Sequence, residues 1–227
     1  MSTSIPPLRM RVVDTDEYLD VRPARLVVAG YTARDEAAAR RHIEELAAIG
    51  IPPPATVPAF YDLDPSLLTT ERTVAVDGEA TSGEVEPVVI RHRGRLFLAV
   101  GSDHTDRERE RLDITSSKAA CPKPLGTDVI ELDAGTRPPN WEHLTAESAI
   151  DGHPYQYGPL SALRHPRELL HRMTSAIGDV AGDLVLFCGT LPLLTGDFVY
   201  GSRWLLSIDL PGGPSLTHDY TVHQRSS

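Results

Sequence analysis

The segment 83–103 constrains the fold of this chain more than any other stretch. Two apolar runs, residues 83–90 (GEVEPVVI) and 96–100 (LFLAV), flank a short polar segment that contains Gly94. Runs of this length, rich in valine and isoleucine and separated by a glycine-containing turn, predict a β-hairpin. If the turn is centred on Arg93 and Gly94, Glu84 lies directly opposite Asp103.

The open end of this hairpin is predicted to bring three carboxylates together. Glu84 and Glu86 are two residues apart on a strand and share one face, and Asp103 lies opposite. With no Lys or Arg on that strand face, mutual repulsion is expected to raise the pKa of each carboxyl group. A divalent cation would relieve the repulsion, and oxygen ligands favour Mg²⁺, then Mn²⁺ or Ca²⁺, over zinc. On this motif alone, a solvent-exposed strand face is the more frequent interpretation.

The length and composition predict one globular domain over residues 1–227, with residues 1–7 as a flexible tail. Hydrophobic residues make up 41% and charged residues 24% of the chain, as in ordinary water-soluble domains. The formal net charge of −10 argues against a nucleic acid or an anionic membrane as partner. A small anionic substrate remains compatible with it.

The sequence also predicts the cellular location of the protein and the redox state of its cysteines. The first seven residues resemble no export signal, and no apolar run reaches membrane-spanning length. We therefore expect a cytoplasmic protein. Cys121 and Cys188 belong to no paired motif and are expected to be reduced packing thiols rather than a disulfide.

Three segments are predicted to be helical. Residues 33–49 are rich in helix formers, with Thr32 as the N-cap and Gly50 at the end. On this helix His42 and Glu45 are three residues apart and share a face, which on its own also describes an ordinary surface pair. Residues 105–111 alternate in charge, typical of a solvated helical turn. Residues 166–178 have apolar side chains at helical spacing.

Strands are predicted elsewhere from short apolar or alternating runs. They cover residues 8–13, 24–29, 73–76, 129–132, 184–188, 204–208 and 216–222. The prolines at 52–54 predict an ordered extended loop as far as Leu68. Residues 142–156 have no clear pattern, and no boundaries are predicted there.

Several of these pieces, in this order, resemble the fumarylacetoacetate hydrolase superfamily, and within it a small bacterial, DUF2848-like subgroup. Glu84-Val85-Glu86 resembles the Glu-x-Glu metal strand, and residues 103–108 resemble its Asp-x-Ser/Thr-Ala-Arg-Asp segment. Further matches are His42-Ile43-Glu44-Glu45, Ser117-Lys118 with Lys123-Pro124-Leu125-Gly126, Asp151-Gly152 with Gln156, and Gly189-Thr190-Leu191-Pro192.

The resemblance implies a fold class of α+β, predominantly β: a fumarylacetoacetate hydrolase-like mixed β-roll with a few flanking helices. It also implies that the chain forms a homodimer. Roles carried over residue by residue are Mg²⁺ ligands (Glu84, Glu86, Asp103), catalytic groups (His42, Glu45, Lys118) and substrate contacts (Arg107, Gln156, Gly189, Thr190).

The chain departs from the superfamily pattern around the third ligand. Asp106 replaces the usual Ala of the superfamily segment and Glu108 replaces the usual Asp, while His104 follows Asp103 directly. Because neighbours on an extended segment point to opposite sides, His104 is expected to lie behind the ligands or at the surface rather than to bind the metal. Thr32-Ala33-Arg34-Asp35 also matches the ligand segment but precedes a helix, so it is interpreted as a cap and loop.

The expected activity is metal-dependent hydrolysis of a C–C bond in a 1,3-dicarbonyl or 2-oxo acid (acylpyruvate-like) substrate through a metal-stabilised enolate. His42, oriented by Glu45, would activate water, and Lys118 would supply positive charge. The same scaffold also serves 2-oxo acid decarboxylases, hydratases and isomerases, which form the first alternative. A non-catalytic metal- or ligand-binding protein is the alternative of another class.

Overall fold

The computed structural model describes residues 6–48, 53–54, 56–133 and 139–225. Within the first helix the side chains of Ala38, Ala39, His42, Glu45 and Leu46 lie outside this described set. Most of the predicted N-terminal tail, residues 1–5, lies outside it as well.

The helices are few and short. The α-helices are α1 (Glu36–Ala48), α2 (Arg107–Glu110), α3 (Ile114–Ala119) and α4 (Pro166–Ile177). Single 3₁₀ turns cover Pro65–Leu67, Trp141–His143 and Leu160–Ala162.

Strands make up most of the regular structure. In the first half of the chain they are β1 (Leu8–Val12), β2 (Tyr18–Val21), β3 (Pro23–Gly30), β4 (Ala59–Leu63), β5 (Leu68–Thr69), β6 (Thr73–Val76), β7 (Thr81–Ser82), β8 (Val85–His92) and β9 (Arg95–Ser102). In the second half they are β10 (Thr105–Asp106), β11 (Lys123–Pro124), β12 (Asp128–Glu131), β13 (Thr145–Ile150), β14 (His153–Pro159), β15 (Asp183–Phe187), β16 (Arg203–Asp209) and β17 (Leu216–Gln224).

These strands form two large sheets and two small ones. The eight-stranded sheet has the order β2-β1-β12-β9-β8-β15-β3-β4, and the five-stranded sheet the order β14-β13-β16-β17-β6. The pairs β10–β7 and β11–β5 form the two-stranded sheets. Parallel and antiparallel pairs are mixed, since β15 runs parallel to β3 but antiparallel to β8. The predicted α+β, predominantly β fold is confirmed.

The hairpin of β8 and β9 lies in the middle of the large sheet and has the predicted register. Val85 pairs with Ser102, and the Asp103 N–H donates to the Glu84 carbonyl at 3.0 Å. At the turn, Arg93 and Gly94 both have positive φ angles, 50° and 80°, as a two-residue turn between twisted strands requires. The hairpin thus holds Glu84 opposite Asp103.

The core lies on both faces of this hairpin. One cluster packs Trp204, Leu206 and Ile208 of β16 against Leu98 and Val100 of β9. Helix α4 packs on this same face, with Leu169 and Met173 buried near Val89, the cross-strand partner of Leu98. The opposite face of the large sheet buries a second apolar cluster that includes Ile90 and Phe97. Because the hairpin is covered on both faces, charged groups at its open end are withdrawn from water.

Two predicted segments differ in detail from the structure. The first helix begins at Glu36 rather than Ala33, because the Asp35 carboxylate accepts the Ala37 N–H at 2.9 Å while Ala33 forms a β-bridge with Leu163. The prediction of Thr32 as its N-cap is therefore wrong. The predicted loop 51–68 contains the strand β4, which pairs with β3. The predicted helix end at Gly50 lies outside the described residues.

Other predictions are confirmed. Helix α4 begins at Pro166, after His165 accepts the Arg167 N–H, and ends at Gly178, whose φ is +79°. The region 142–156, for which no boundaries are predicted, holds β13 and the start of β14, which form a hairpin that turns at Asp151 and Gly152. Both cysteines are buried, free thiols. No helix in the described part of the chain is long and apolar enough to cross a membrane.

Candidate active site at the open end of the central hairpin

The three predicted carboxylates lie where β8 begins and β9 ends. Asp103 is fully buried, Glu86 is 2% exposed, and Glu84 is partly buried. Carboxylates are rarely buried to this extent without cationic or hydrogen-bonding partners, because removing their charge from water is costly. The partners of each carboxylate therefore determine what this end of the hairpin can do.

Asp103 is held by two lysines. Lys118 Nζ makes a short contact with Asp103 Oδ2, and Lys123 Nζ lies 3.1 Å from Oδ1. Burial alone would raise the pKa of Asp103, but the two ammonium groups hold it well below its ordinary value. The expectation of a raised pKa at this position is therefore wrong, because both lysines come from segments that follow the hairpin in the chain.

Lys118 is delivered by the short helix α3. That helix starts where the Asp113 carboxylate accepts the Ser116 N–H at 2.6 Å, and Lys118 occupies its last turn. Burial alone would lower the pKa of Lys118, but Asp103 and Glu84 raise it above its ordinary value, so the ammonium stays charged. Its Nζ also lies 5.6 Å from the centre of the Tyr61 ring.

Arg107 holds the Glu84 carboxylate. Its guanidinium lies 3.2 Å from Glu84 Oε2, donates to Glu110 Oε2 at 2.8 Å and to Ser82 Oγ at 2.6 Å, and stacks 3.9 Å from the Phe198 ring centre. The side chain is fully enclosed, so the prediction of a solvated turn at 105–111 is wrong for its first residues. With these donors engaged, Arg107 orients Glu84; its predicted contact with substrate stays a prediction.

Glu86 receives a different kind of support. Its Oε2 accepts the backbone N–H of Gly189 at 2.8 Å. Burial, and then the charge of Asp103, raise the pKa of Glu86 well above its ordinary value. Gly189 has φ +93°, and a Cβ there would overlap the Thr32 hydroxyl at 1.8 Å. Only glycine therefore allows this backbone N–H to reach the carboxylate.

Gln156 joins the Gly189 turn to the hairpin. Its Nε2 donates to Thr190 Oγ1 at 2.8 Å and to the Leu191 carbonyl at 2.7 Å, while its Oε1 accepts the Val85 N–H at 2.9 Å. Thr190 Oγ1 in turn donates to the Val85 carbonyl at 2.9 Å. The predicted substrate contacts Gln156, Gly189 and Thr190 thus lie together beside β8, with the amide of Gln156 used for positioning.

His104 lies behind Asp103, as predicted, but not at the surface. Its ring is completely buried, with Nδ1 3.0 Å from the Tyr220 hydroxyl and Nε2 3.0 Å from Thr81 Oγ1. Burial, aided by the charge of Lys123, lowers the pKa of His104 to about 3. The imidazole is therefore neutral, with both ring nitrogens bound to protein hydroxyl groups.

The side chains of His42 and Glu45 lie outside the described residues. Their backbone belongs to α1. Their assignment as a catalytic pair therefore stays a prediction.

The donor set fits a hard divalent cation in its chemistry. Glu84, Glu86 and Asp103 offer only carboxylate oxygens, the ligands that Mg²⁺ prefers. Burial and then the charge of Asp103 raise the pKa of Glu86, and a bound cation would relieve the second of these effects. As they stand, the described His, Cys, Asp and Glu side chains include no group of three or more arranged to hold a metal ion. Lys118 and Lys123 occupy the oxygens of Asp103 instead.

A family model for proteins of unknown function, DUF2848, matches residues 29–220. This range contains every site residue described above. The chain belongs to the DUF2848 family. No curated protein matches it in sequence.

Solved structures show which fold this DUF2848 member has. It is similar to a candidate fumarylpyruvate hydrolase from Burkholderia cenocepacia, with a TM-score of 0.67 and 16% identity, over 100% of this chain and 95% of that one. A candidate fumarylacetoacetate isomerase/hydrolase from Oleispira antarctica has a TM-score of 0.67 and 15% identity, over 94% of this chain and 99% of that one. A 5-carboxymethyl-2-hydroxymuconate delta-isomerase from Mycobacterium smegmatis has a TM-score of 0.62 and 16% identity, over 94% of this chain and 87% of that one. The predicted fumarylacetoacetate hydrolase-like fold is confirmed.

Sequence reasoning missed several residues around the carboxylates of this DUF2848 member. Tyr61 and Phe198 face Lys118 and Arg107, and Ser82 binds Arg107. Tyr61 lies on strand β4, in a segment that the preceding prolines predict to be a loop. Phe198 and Ser82 belong to segments with no distinctive local pattern, so only the folded chain identifies them.

Two cavities in the described part of the chain lie away from these carboxylates. One of about 140 Å³ is at the turn end of the hairpin, lined by His92 and Arg95 among others. The larger, about 500 Å³, opens between β6, β17 and residues 200–202. Neither is lined by Glu84, Glu86 or Asp103.

Proposed function

We propose that this protein is an enzyme that hydrolyses a C–C bond in a 1,3-dicarbonyl or 2-oxo acid substrate of the acylpyruvate type, with Mg²⁺ as cofactor. The observation that carries the proposal is the buried ionic cluster at the open end of the hairpin. A fold needs no charges there, and burying them costs stability, so groups kept at such a cost mark a candidate site of chemistry.

The charges of this cluster suit an anionic substrate. Four carboxylates (Glu84, Glu86, Asp103, Glu110) lie against three cationic side chains (Arg107, Lys118, Lys123), which gives a net charge of minus one when all four carboxylates are ionised. An anion would be repelled by this arrangement alone. A divalent cation makes the net charge positive and allows a 2-oxo acid to bind.

Glu84, Glu86 and Asp103 would hold the cation, with Mn²⁺ or Ca²⁺ as other hard ions that the oxygen donors accept. When bound, such an ion supplies Lewis acidity that polarises a carbonyl oxygen and stabilises enolate charge. Arg107 and the Gly189 N–H orient the carboxylates Glu84 and Glu86.

The chain's own residues perform the remaining steps. Lys118 places its ammonium beside the developing negative charge, which typically contributes about 3 kcal/mol to transition-state stabilisation. Glu45 orients His42, which removes a proton from the attacking water and later returns it to the leaving carbon. The Thr190 hydroxyl would bind the substrate carboxylate on the other side after leaving the Val85 carbonyl, to which it donates in this structure, while the Gly189 N–H stays with Glu86.

A second candidate function is decarboxylation, hydration or isomerisation of a 2-oxo acid at the same groups. It is supported by the isomerase among the similar structures and by the fact that stabilising an enolate serves all these reactions. The pair His42 and Glu45 favours hydrolysis, because only hydrolysis needs a base that activates water for attack on a carbonyl.

The direct test is a screen of acylpyruvates and oxaloacetate with Mg²⁺ or Mn²⁺, followed by loss of enol absorbance and by product analysis. A carboxylate and pyruvate formed from an acylpyruvate support hydrolysis, while release of CO₂ supports decarboxylation, the second candidate. No turnover of any of them, together with cation binding that leaves thermal unfolding unchanged, would favour a non-catalytic binding protein.

Variants at α1 test the predicted pair. His42→Ala, Glu45→Ala and the double variant should lose similar activity, because residues that act as one unit lose their function together. Mg²⁺ binding, measured by calorimetry, should stay unchanged. Full turnover in His42→Ala would exclude this pair and favour decarboxylation.

The cytoplasmic location and the homodimer are further parts of the proposal. The net charge of −10 continues to argue against nucleic acid or anionic membrane as partner. Sedimentation at micromolar concentration tests the dimer, since a single 24.8 kDa species would contradict it.

A further inference from the structure

Lys123 is the least expected charged group in this cluster. It has no exposed surface, and it is held in the short strand β11, which pairs with β5. The residues around it are anchored on both sides, since the Leu125 N–H donates to the Thr69 carbonyl and the Gly126 N–H to the Val100 carbonyl, both at 2.8 Å. The ammonium therefore has a defined position beside the end of β9.

The contacts of this ammonium join three parts of the candidate site. Its Nζ donates to the carbonyls of His104 at 2.6 Å, Lys118 at 2.5 Å and Cys121 at 3.3 Å, and lies 3.1 Å from Asp103 Oδ1. Three N–H donors thus serve four acceptors. Lys123 fixes the backbone after Asp103 to the helix that carries Lys118.

Asp103 consequently has an ammonium group at each of its oxygens. A cation that binds this carboxylate meets repulsion from the nearby positive charges, which a site built from carboxylates alone would not offer. The repulsion from Lys123 comes from a fixed position, because the ammonium is enclosed by backbone carbonyls and its strand is anchored on both sides. Lys118, at the end of a short helix, carries the proposed catalytic charge, so its role differs from that of Lys123.

We infer that Lys123 is a positioning residue that shares Asp103 with the divalent cation of the candidate site and thereby weakens the binding of that cation. The inference rests on the proposed function, which supplies the cation. Lys123 keeps Asp103 in place while the site is free, and its charge keeps the affinity for Mg²⁺ low enough for reversible exchange. Without this charge the net charge of the cluster would be minus two, which attracts a divalent ion more strongly.

A purely structural role predicts the opposite result. If Lys123 only ties the loop together, its removal loosens Asp103 and Lys118, and Mg²⁺ binds more weakly. If its charge competes with the cation, removal of the charge with retention of the hydrogen bonds strengthens Mg²⁺ binding. The direction of the change in affinity therefore separates the two roles.

The experiment is calorimetric titration of Mg²⁺ into EDTA-treated parent protein and into Lys123→Gln. The glutamine amide keeps two N–H donors for the buried carbonyls but carries no charge. We expect Lys123→Gln to bind Mg²⁺ about tenfold more tightly than the parent. The matched control is Arg95→Gln, which removes one positive charge from the turn end of the same hairpin and should leave Mg²⁺ affinity within about twofold.

Equal or weaker Mg²⁺ binding by folded Lys123→Gln would overturn the inference while leaving the proposed function in place. Absence of Mg²⁺ binding in both proteins would overturn the inference and the metal part of the proposed function together. If Lys123→Gln does not fold, the comparison moves to Asp103→Asn and Asp103→Asn/Lys123→Met. The double variant removes a buried ion pair whole and should bind Mg²⁺ more tightly than Asp103→Asn; equal binding would overturn the inference.

Discussion

The ion pairs at the two ends of the central hairpin differ in their exposure to solvent. At the turn end, Arg95 donates to Glu131 at 2.6 and 2.8 Å and to Glu17 at 2.6 and 3.0 Å, and its side chain stays 38% exposed. At the open end, Asp103 and Lys123 are paired without any exposed surface. Water and salt compete with the first set of ion pairs and not with the second.

This difference indicates which charges serve the fold and which serve chemistry. Exposed ion pairs contribute little to stability and are tolerated anywhere on a surface. Buried ion pairs often contribute less than apolar side chains of the same volume would, yet they become very costly when one partner is lost. Retention of several buried ion pairs at one end of a hairpin is therefore best explained by a task other than folding.

The largest effect is expected when one partner of the buried pairs is removed. Asp103→Asn leaves the ammonium groups of Lys118 and Lys123 in a dry site without their carboxylate, and we expect a loss of about 3–5 kcal/mol in the free energy of unfolding. Urea denaturation of EDTA-treated protein measures it. Glu131→Gln at the turn end is the control; an equal loss in both variants would remove the contrast between the two ends.

The next effect concerns turnover. Lys118→Met keeps the apolar stem and deletes the charge, so turnover of any 2-oxo acid substrate should fall about a hundredfold. Mg²⁺ affinity should hold or increase, because a positive charge beside Asp103 is gone. A variant that loses Mg²⁺ binding but keeps its turnover per bound ion would show that Lys118 only holds its loop in place.

A smaller, pH-dependent effect is expected at Glu86. Its folded-state pKa is raised by burial and by Asp103, so the stability that its neutral form contributes is fully present below pH about 4.5 and is lost as pH rises through the folded-state pKa. In EDTA, Glu86→Gln should therefore gain stability relative to the parent between pH 5 and pH 8. The glutamine Oε1 can still accept the Gly189 N–H. Urea midpoints that differ by the same amount at both pH values would contradict this account.

The smallest effect is expected at the turn end of the hairpin. Arg95→Gln should cost about 1 kcal/mol or less in the free energy of unfolding, and the cost should shrink in 1 M salt, because its partners are reached by solvent. Denaturation at two salt concentrations measures it. A loss near that of Asp103→Asn would mean that the exposed ion pairs, too, are needed for the fold.

Local sequence patterns determined the scaffold of this site. The alternation and apolar character of residues 83–103, with a turn at Arg93 and Gly94, were enough to predict the hairpin and its register, because both depend on neighbours within a few residues. Helix α4 was predictable for the same reason, since its cap, its proline and its terminal glycine are contiguous with it. The resemblance, carried by ordered motifs, added the fold class and named Lys118.

Only the tertiary structure decided which charges meet and how they are shielded. Asp103 was expected to have a raised pKa, and the folded chain lowers it by bringing in Lys118, 15 residues away, and Lys123 from the next loop. Arg107 belongs to a run whose alternating charge is typical of an exposed turn, yet it is enclosed by Ser82, Glu84 and Phe198. Ionisation and burial depend on desolvation by distant segments, and the order of residues within any one segment does not contain that information.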